Sequence, residues 1–568
     1  MFEKKQSTLI PSSAKAANPA VVSPKKNAFV QAGLKKGAET LSGNGALKFT
    51  TTGLPFVDEF GIAGSFRSPR DYKDVDASMR KLWAEDKMNC VKFAFYLRMV
   101  TRQVVFPDGT KTEDVQRGQG LKHEGIYRVM WLAINQPDVF WANIHVYISI
   151  GGWKDIITML SYDLQFNHWK DRKLDWDKMG KTILAGLENS KTTNLVKKYL
   201  PQIKANSYCK TLEAQADNMI AKWICSLLYG GKPEANNAST YKKYRKLKVS
   251  GTAHEWQKAI SQGNALNINF DSIHGRALAL LVSGKFMKNN KLEDRYAKWI
   301  AAKPVAKYTG FVYELMLGVN NKLAGYQVDT INKQFMGQVE IARQGVEQNG
   351  SFVVVRDTSS SMGSQCTGTK GTCYDIAKAL ALYFSYLIPK GHFADSWIEF
   401  NSDAKFHTWS GATPVERWRN DHSSFVGSTN FQSVINLFCK IKRQGVPENE
   451  FPTGILCISD GEFNPTQLGI TNVQQALVSL TNAGFSQKYV QDFQIVLWNL
   501  QSGYYGKNTG KKFETFGGVK NVFYFSGFDG SIIGFLTGMQ GSTRKPPETA
   551  AELFEAAMDQ QVLNMLEI

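Results

Sequence analysis

Cysteine is scarce in this 568-residue chain: there are seven, at no framework spacing. Only Cys366 and Cys373 lie close together, in Cys366-Thr-Gly-Thr-Lys-Gly-Thr-Cys373, and no second pair or histidines follow at zinc-ligand spacing. Reduced thiols in an intracellular setting are the expectation. Long hydrophobic runs are also missing. Phe352–Val355 and Leu380–Ile388 fall far short of a membrane span. Met1–Lys26 carries charge and proline where the apolar stretch of a cleavable signal would stand. The chain therefore reads as soluble and cytoplasmic, with no membrane partner. No nucleophile and base at a recognisable spacing and no phosphate loop stand out, so an enzyme is not expected. His392, His407 and His422 show no catalytic spacing and read as surface or packing residues.

Hydrophobic residues at 43% and charged residues at 21% are ordinary globular values and argue against wholesale disorder. The length calls for two or three domains. Charge is unevenly shared between them. Residues 346–568 hold 17 basic and 20 acidic side chains, leaving 51 basic and 30 acidic in residues 1–345, so the formal excess of +18 resides entirely in the first part. Such asymmetry points to a polyanionic partner, most often nucleic acid. A lysine-rich surface that only confers solubility is the alternative.

Residues 1–50, rich in Lys, Ser, Ala, Asn and Pro, read as a flexible basic tail. Across residues 51–345 apolar positions recur at three- and four-residue spacing. The pattern predicts helices at Ala77–Asp86, Asn89–Thr101, His123–Ile134, Lys154–Leu164, Trp176–Leu187, Leu212–Leu228 and Ser272–Val282. No strict period is present, and an irregular HEAT-like array is the natural packing for so many consecutive helices. Near residue 350 the texture switches to short continuous apolar runs at Phe352–Val355, Trp397–Phe400, Gly454–Ile458, Phe493–Trp498 and Val522–Phe525. Helical patterns alternate with them at Tyr374–Ile388, Phe431–Lys442, Val473–Ala483 and Ser531–Gly538. That alternation predicts a doubly wound α/β domain over 346–543 with a parallel sheet covered on both faces. Residues 544–568 read as a C-terminal amphipathic helix.

Ligands of open α/β sheets bind in loops beyond the carboxyl ends of the strands. Asp357-Thr-Ser359-Ser-Ser361-Met-Gly363 starts there, directly after the first strand of the second domain. It offers one carboxylate and two hydroxyls in a tight turn. Two further loops reach the same edge: Gly427-Ser-Thr429-Asn430 contributes a hydroxyl and Ser459-Asp460-Gly461 a carboxylate. Hard, mostly neutral oxygen donors of this kind suit magnesium, or another divalent cation such as manganese or calcium. A helix or turn cap at Asp357 is the plainer reading.

The three loops, in this order, resemble the metal-ion-dependent adhesion site of von Willebrand factor A domains. That resemblance implies a noncatalytic site that leaves one coordination position open to a partner's carboxylate. A helical array followed by such a domain is the arrangement of TROVE proteins, typified by the Ro autoantigen. The chain is most similar to an uncharacterised TROVE-like family known only as a domain of unknown function. Lys92-Phe-Ala-Phe-Tyr-Leu-Arg98, Arg117-Gly-Gln-Gly120 with His123 and Glu124, and Gly152-Trp-Lys-Asp155 carry the resemblance in the first half. Tyr296-Ala-Lys-Trp-Ile300, Asp357–Gly363, Asn430-Phe-Gln432, Ser459–Phe463 and Val496-Leu-Trp-Asn-Leu500 carry it further on. The insertion Gln103–Glu113, with its Pro-Asp-Gly turn, departs from the pattern. So does the altered glycine-lysine character near Arg117.

The Ro-like resemblance implies a noncoding RNA partner, structured or with a single-stranded end. The densest candidate contact is Tyr241-Lys-Lys-Tyr-Arg-Lys-Leu-Lys248. Lys242, Lys243, Arg245, Lys246 and Lys248 would neutralise phosphates there, and Tyr241 and Tyr244 would stack on bases. A solvated helix face with the tyrosines packed inward is the alternative. Arg117, Lys122 and Arg128 form a second candidate, with Arg98 and Arg102 on an adjacent helix. Lys4, Lys5, Lys15, Lys25, Lys26, Lys35 and Lys36 would add salt-sensitive affinity. The competing function is a metal-dependent adaptor that captures an acidic protein ligand without RNA.

Overall fold

The computed structural model describes residues 39–568 apart from 42–43, 45, 50–51, 65–70, 168, 232–237, 253–254, 274, 345–351, 367–368, 388–392, 394, 424, 501–519 and 529–546. Within them a helical array is joined to an α/β domain. The predicted helix Ser531–Gly538 and the seven N-terminal lysines lie outside the described residues.

A short antiparallel hairpin comes first, β1 (Glu39–Leu41) with β2 (Leu47–Phe49). The main sheet comprises β3 (Phe352–Asp357), β4 (Ser396–Phe400), β5 (Ala404–Thr408), β6 (Gly454–Ser459), β7 (Gln494–Asn499) and β8 (Val522–Ser526), in the spatial order β5-β4-β3-β6-β7-β8. The β-branched and aromatic runs form its centre: every residue of β3 and β6 is buried. All neighbours are parallel except β4 and β5. The expected parallel sheet is thus corrected to a mixed one. Ala404-Lys-Phe-His-Thr408 is mostly exposed at the edge and returns antiparallel through the turn Asn401–Asp403. From β3 the chain goes one way to β4 and then crosses to β6, so the strand order reverses between β3 and β6.

Helices Gln432–Arg443 and Asn472–Asn482 cover one face of the sheet, around Val353, Val355, Ile455 and Phe438. Helix Cys373–Leu387 covers the other. It is buried on nearly every side, because it lies between β3 and β6 and the helices Val312–Met316 and Gly325–Arg343. One apolar cluster therefore runs from the sheet into the helical half, through Tyr383, Phe335, Trp498 and Phe525. A separate cluster around Trp256, Phe270, Tyr296 and Ile300 stabilises the later helices.

The predicted helices form, with ends set by local capping. Asp86 terminates Tyr72–Glu85 and caps the next helix, Lys87–Arg98, by accepting from the Asn89 amide. Asp175 and Thr211 cap Trp176–Glu188 and Leu212–Tyr229 in the same way. The insertion Gln103–Glu113 folds back on itself, with antiparallel bridges Arg102 to Gln116 and Val105 to Lys111. Lys191 donates to the carbonyl of Asp108 near its tip.

Two domain boundaries move. Residues 39–49 are not wholly tail: Asn44 Nδ2 donates to the Glu462 carbonyl at 2.5 Å, and Ala46 is buried against the α/β core. Helix Pro55–Ala63 packs on β8 and on the C-terminal helix, with Ser526 Oγ donating to the Gly61 carbonyl. At the end of the chain the helix spans Ala550–Met558 only, and Val562, Leu563 and Leu566 are buried beyond it. This segment docks on the helical half. Gln560 exchanges hydrogen bonds with the backbone of Arg117, and Asn143 does so with that of Glu567. Among the described residues no helix is long and apolar enough to cross a membrane.

Candidate metal centre and basic surface

The carboxyl ends of β3 and β6 meet at the point where the strand order reverses, the position at which α/β sheets open a crevice. Asp357, the last residue of β3, is fully buried. Its Oδ1 accepts from the Ser359 amide at 2.8 Å and its Oδ2 from Ser459 Oγ at 2.5 Å. Ser359 Oγ and Ser361 Oγ stand 3.1 Å apart, and the Ser361 hydroxyl also hydrogen-bonds Asp460. Asp460, 7% exposed, accepts from the Glu462 amide. The third loop is pinned to the first: the Val426 amide donates to the Thr358 carbonyl, and the Ser360 amide to that of Gly427. Thr429, 2% exposed, follows directly and fixes the Asn464 amide through its carbonyl. Gly461 adopts φ 80°, and a Cβ there would stand 2.8 Å from Asn499 Nδ2, so the turn after Asp460 requires glycine.

Two carboxylates out of water and close together resist joint ionisation. Burial, and then Asp460 beside it, push the Asp357 carboxyl up to about 7 against the hydrogen bonds from Ser459 and Ser359. Burial likewise raises Asp460. Among the described residues no lysine, arginine or histidine makes an ion pair with either. Glu462, buried beside them, adds to the negative charge, and among the described residues Asp357 and Asp460 have no cationic partner. Hard oxygen donors with two carboxylates are the donor chemistry of a divalent cation such as magnesium, so the residues present fit such an ion. No group of three or more His, Cys, Asp or Glu that could hold a metal occurs among the described residues, this corner included. All seven cysteines are buried, and none forms a disulfide.

Ser459 escaped the sequence reading. Its signal is its position: the last residue of a buried strand, one before Asp460 and parallel to the strand that ends at Asp357. One residue before Asp357, Arg356 is also buried. It pairs with Asp421 at 2.6 Å and lies over the Trp397 ring, 3.9 Å from its centroid. That charge is matched, and it borders a cleft of about 500 Å³ lined by Trp397, Glu399, His407 and Trp409.

The basic candidates divide sharply. Lys242, Lys243, Arg245 and Lys246 are exposed on helix Ala238–Thr252. Tyr241 and Tyr244 are not available for stacking: both are buried, and Tyr244 donates to the Pro201 carbonyl at 3.0 Å. Lys248 is half-buried and donates to the carbonyls of Lys198 and Leu200 at the end of helix Thr193–Tyr199. Arg117 and Arg128 are corrected as well. Arg117 is 1% exposed and donates to the Gln344 carbonyl at 2.6 Å. Arg128 is fully buried between Glu124 at 3.0 Å and Glu59 at 2.5 Å. Arg98 pairs with buried Asp155, and Arg102 donates to the carbonyls of Ser149 and Ile150. Of that second group and its neighbours, Lys122 and Arg102 are exposed. Arg98, Arg117 and the glycines beside them, within the family-like motifs of the first half, serve packing. A Cβ at Gly118 would meet the Met99 carbonyl at 2.3 Å, and one at Gly125 would meet Arg98 Cβ at 2.7 Å.

No protein-family model matches the chain, and no curated protein matches it. Among solved structures it is similar to the crystal structure of the Deinococcus radiodurans RO (RSR) protein. Identity is 13%, 72% of this chain and 85% of that one are covered, and the TM-score is 0.29, too low to establish a shared fold.

Proposed function

We propose that the chain is a noncatalytic RNA-binding scaffold: a HEAT-like helical half that holds noncoding RNA, joined to a von Willebrand A-type domain that binds magnesium or a similar divalent cation. The observation that carries the RNA reading is the outer face of helix Ala238–Thr252. Lys242, Lys243, Arg245 and Lys246 project from it, and none makes an ion pair among the described residues. It belongs to the half of the chain that holds all the excess positive charge. Cations placed this way neutralise a phosphate backbone without reading sequence.

Anisotropy of a labelled RNA hairpin with a single-stranded tail, titrated with the full chain across a salt series, tests this reading. Binding should fall steeply with salt. Replacing the four cations by alanine should reduce the log–log salt slope by about 3. Equal affinity for the hairpin and for heparin would reduce the charge to nonspecific attraction.

The buried pair Asp357 and Asp460 favours a second reading, an adaptor whose bound cation captures an acidic side chain of a protein partner. Asp357 and Asp460 would hold the cation with Ser359, Ser361 and Thr429, and the cation would supply a Lewis-acidic position for that ligand. Asp357→Ala or Thr429→Ala should then abolish magnesium binding in calorimetry while leaving RNA affinity unchanged. Magnesium affinity unaltered by either substitution would remove the site assignment.

A further inference from the structure

Five lysines from five segments line one cleft of about 530 Å³ in the helical half. Lys122 opens helix Lys122–Asn135, and Lys154 is the second residue of Trp153–Phe166. Lys198 belongs to Thr193–Tyr199, Lys204 to the segment after it, and Lys248 to Ala238–Thr252. The volume suits a small-molecule ligand or part of a larger one. The carboxylates on the lining are Glu213 and Asp217, both from Leu212–Tyr229, and neither makes an ion pair with a lysine among the described residues.

The fold spends effort on the shape of this wall. Lys248 is tied down by the carbonyls of Lys198 and Leu200, and the His123 ring hydrogen-bonds the Tyr162 hydroxyl on the lining. Lys122, Lys154 and Lys204 are exposed at the opening. Burial, and then Lys154, lower the pKa of both Lys122 and Lys198, and burial alone lowers that of Lys248. Lys154 repels both Lys122 and Lys198, and a shared anion relieves that repulsion.

We infer that this cleft binds a phosphate-bearing ligand of nucleotide size, gripped by Lys122, Lys154 and Lys204 with Lys198 and Lys248 behind. The chemistry is the same for a free nucleotide and for the phosphorylated end of an RNA strand. Only the second source rests on the RNA reading given above.

Calorimetry of the full chain with ADP, and anisotropy with a 5′-phosphorylated and a 5′-hydroxyl decauridylate, test the assignment. The double variant Lys122→Gln/Lys154→Gln should weaken whichever phosphate ligand binds at least tenfold. Thr158→Glu, which adds a negative charge to the lining, should do the same. Lys242→Ala/Lys246→Ala, outside the cleft, should leave ADP affinity unchanged. ADP binding lost in the cleft variants, with no RNA bound by the wild type, would keep the cleft and remove the RNA scaffold. A phosphorylated oligonucleotide preferred over its hydroxyl form, and only in chains with Lys122 and Lys154, would assign the strand end as the source. The inference is overturned if the wild type binds neither ADP nor the phosphorylated oligonucleotide preferentially, or if the cleft variants bind them as the wild type does.

Discussion

Both halves of the molecule bury charge, but they settle it differently. In the helical half Arg128 is enclosed by Glu124 and Glu59, and Arg98 by Asp155. At the carboxyl ends of β3 and β6, Asp357 and Asp460 accept hydrogen bonds from hydroxyls and amides, with Glu462 nearby and no cation paired to either among the described residues. A buried charge surrounded by its own counter-charges is structural, because nothing further is needed to hold it out of water. A buried pair of like charges facing hydroxyls is incomplete until a proton or a cation arrives. The same contrast separates the basic residues. Arg117 and Arg128 serve packing, while Lys122 and the outward residues of helix Ala238–Thr252 keep their charge at the surface.

Substituting one residue on each side of this comparison should give its largest break. Arg128→Ala leaves Glu124 and Glu59 without their shared cation and should cost about 3–5 kcal/mol of unfolding free energy in urea. Asp357→Asn, tested without divalent cations, should leave stability unchanged or raise it, because it removes repulsion from Asp460. A comparable loss in both variants would mean that Asp357 is as fully partnered as Arg128, and the distinction would collapse. The next effect sharpens the comparison inside the α/β half, where Arg356 and Asp421 form a matched pair. Burial works against the Asp421 carboxylate, but Arg356, Lys378 and Ser423 outweigh it and hold the group at about 2, below its ordinary 3.8. Between those values the unfolded chain binds the proton more readily, so the pair's contribution is complete above about pH 4 and fades as pH falls through 2. About 2 kcal/mol should be lost over that window. Asp421→Asn should flatten the acid limb of the stability curve measured from pH 5 to 2; an unchanged limb would show that the pair is not what acid breaks.

How much of this was legible in the sequence depends on the range over which each interaction acts. Five strands of the sheet were readable because continuous apolar runs bounded by polar loops mark buried parallel strands. β5 was not, since an exposed edge strand with Lys405 and His407 has no such run. The meeting of Asp357 and Asp460 at the carboxyl ends of β3 and β6 was readable in part, because Asp357, Ser359 and Ser361 lie within five residues and Asp460 directly follows its own strand. Helical spacing put Tyr241, Tyr244, Arg245 and Lys248 on one side of a helix but could not say which side faces the core. Arg117 was misread because its partner stands at Gln344, a distance over which no local pattern carries information; for Arg128 the Glu124 partner is four residues away and legible, but Glu59 and the burial are not. The lysine cleft was invisible for the same reason, being assembled from positions 122 to 248.

The smallest expected effect tests the face that the periodicity left open. Tyr244 is fully buried, and its hydroxyl donates to the Pro201 carbonyl. Tyr244→Phe keeps the ring and removes that donor, which should cost about 1 kcal/mol because the carbonyl loses its partner. RNA affinity and its salt dependence should not change, since the ring faces Cys225 and the core rather than solvent. Lys242→Ala should behave in the opposite way. Its stability should stay within about 0.5 kcal/mol of the parent, and the salt slope of RNA binding should fall by about 1. Urea melts and salt-dependent anisotropy on the two variants separate a packing tyrosine from a lysine proposed to bind phosphate two positions away. Weakened RNA binding by Tyr244→Phe at unchanged stability would mean that the ring meets a base, and the inward assignment of this face would be wrong.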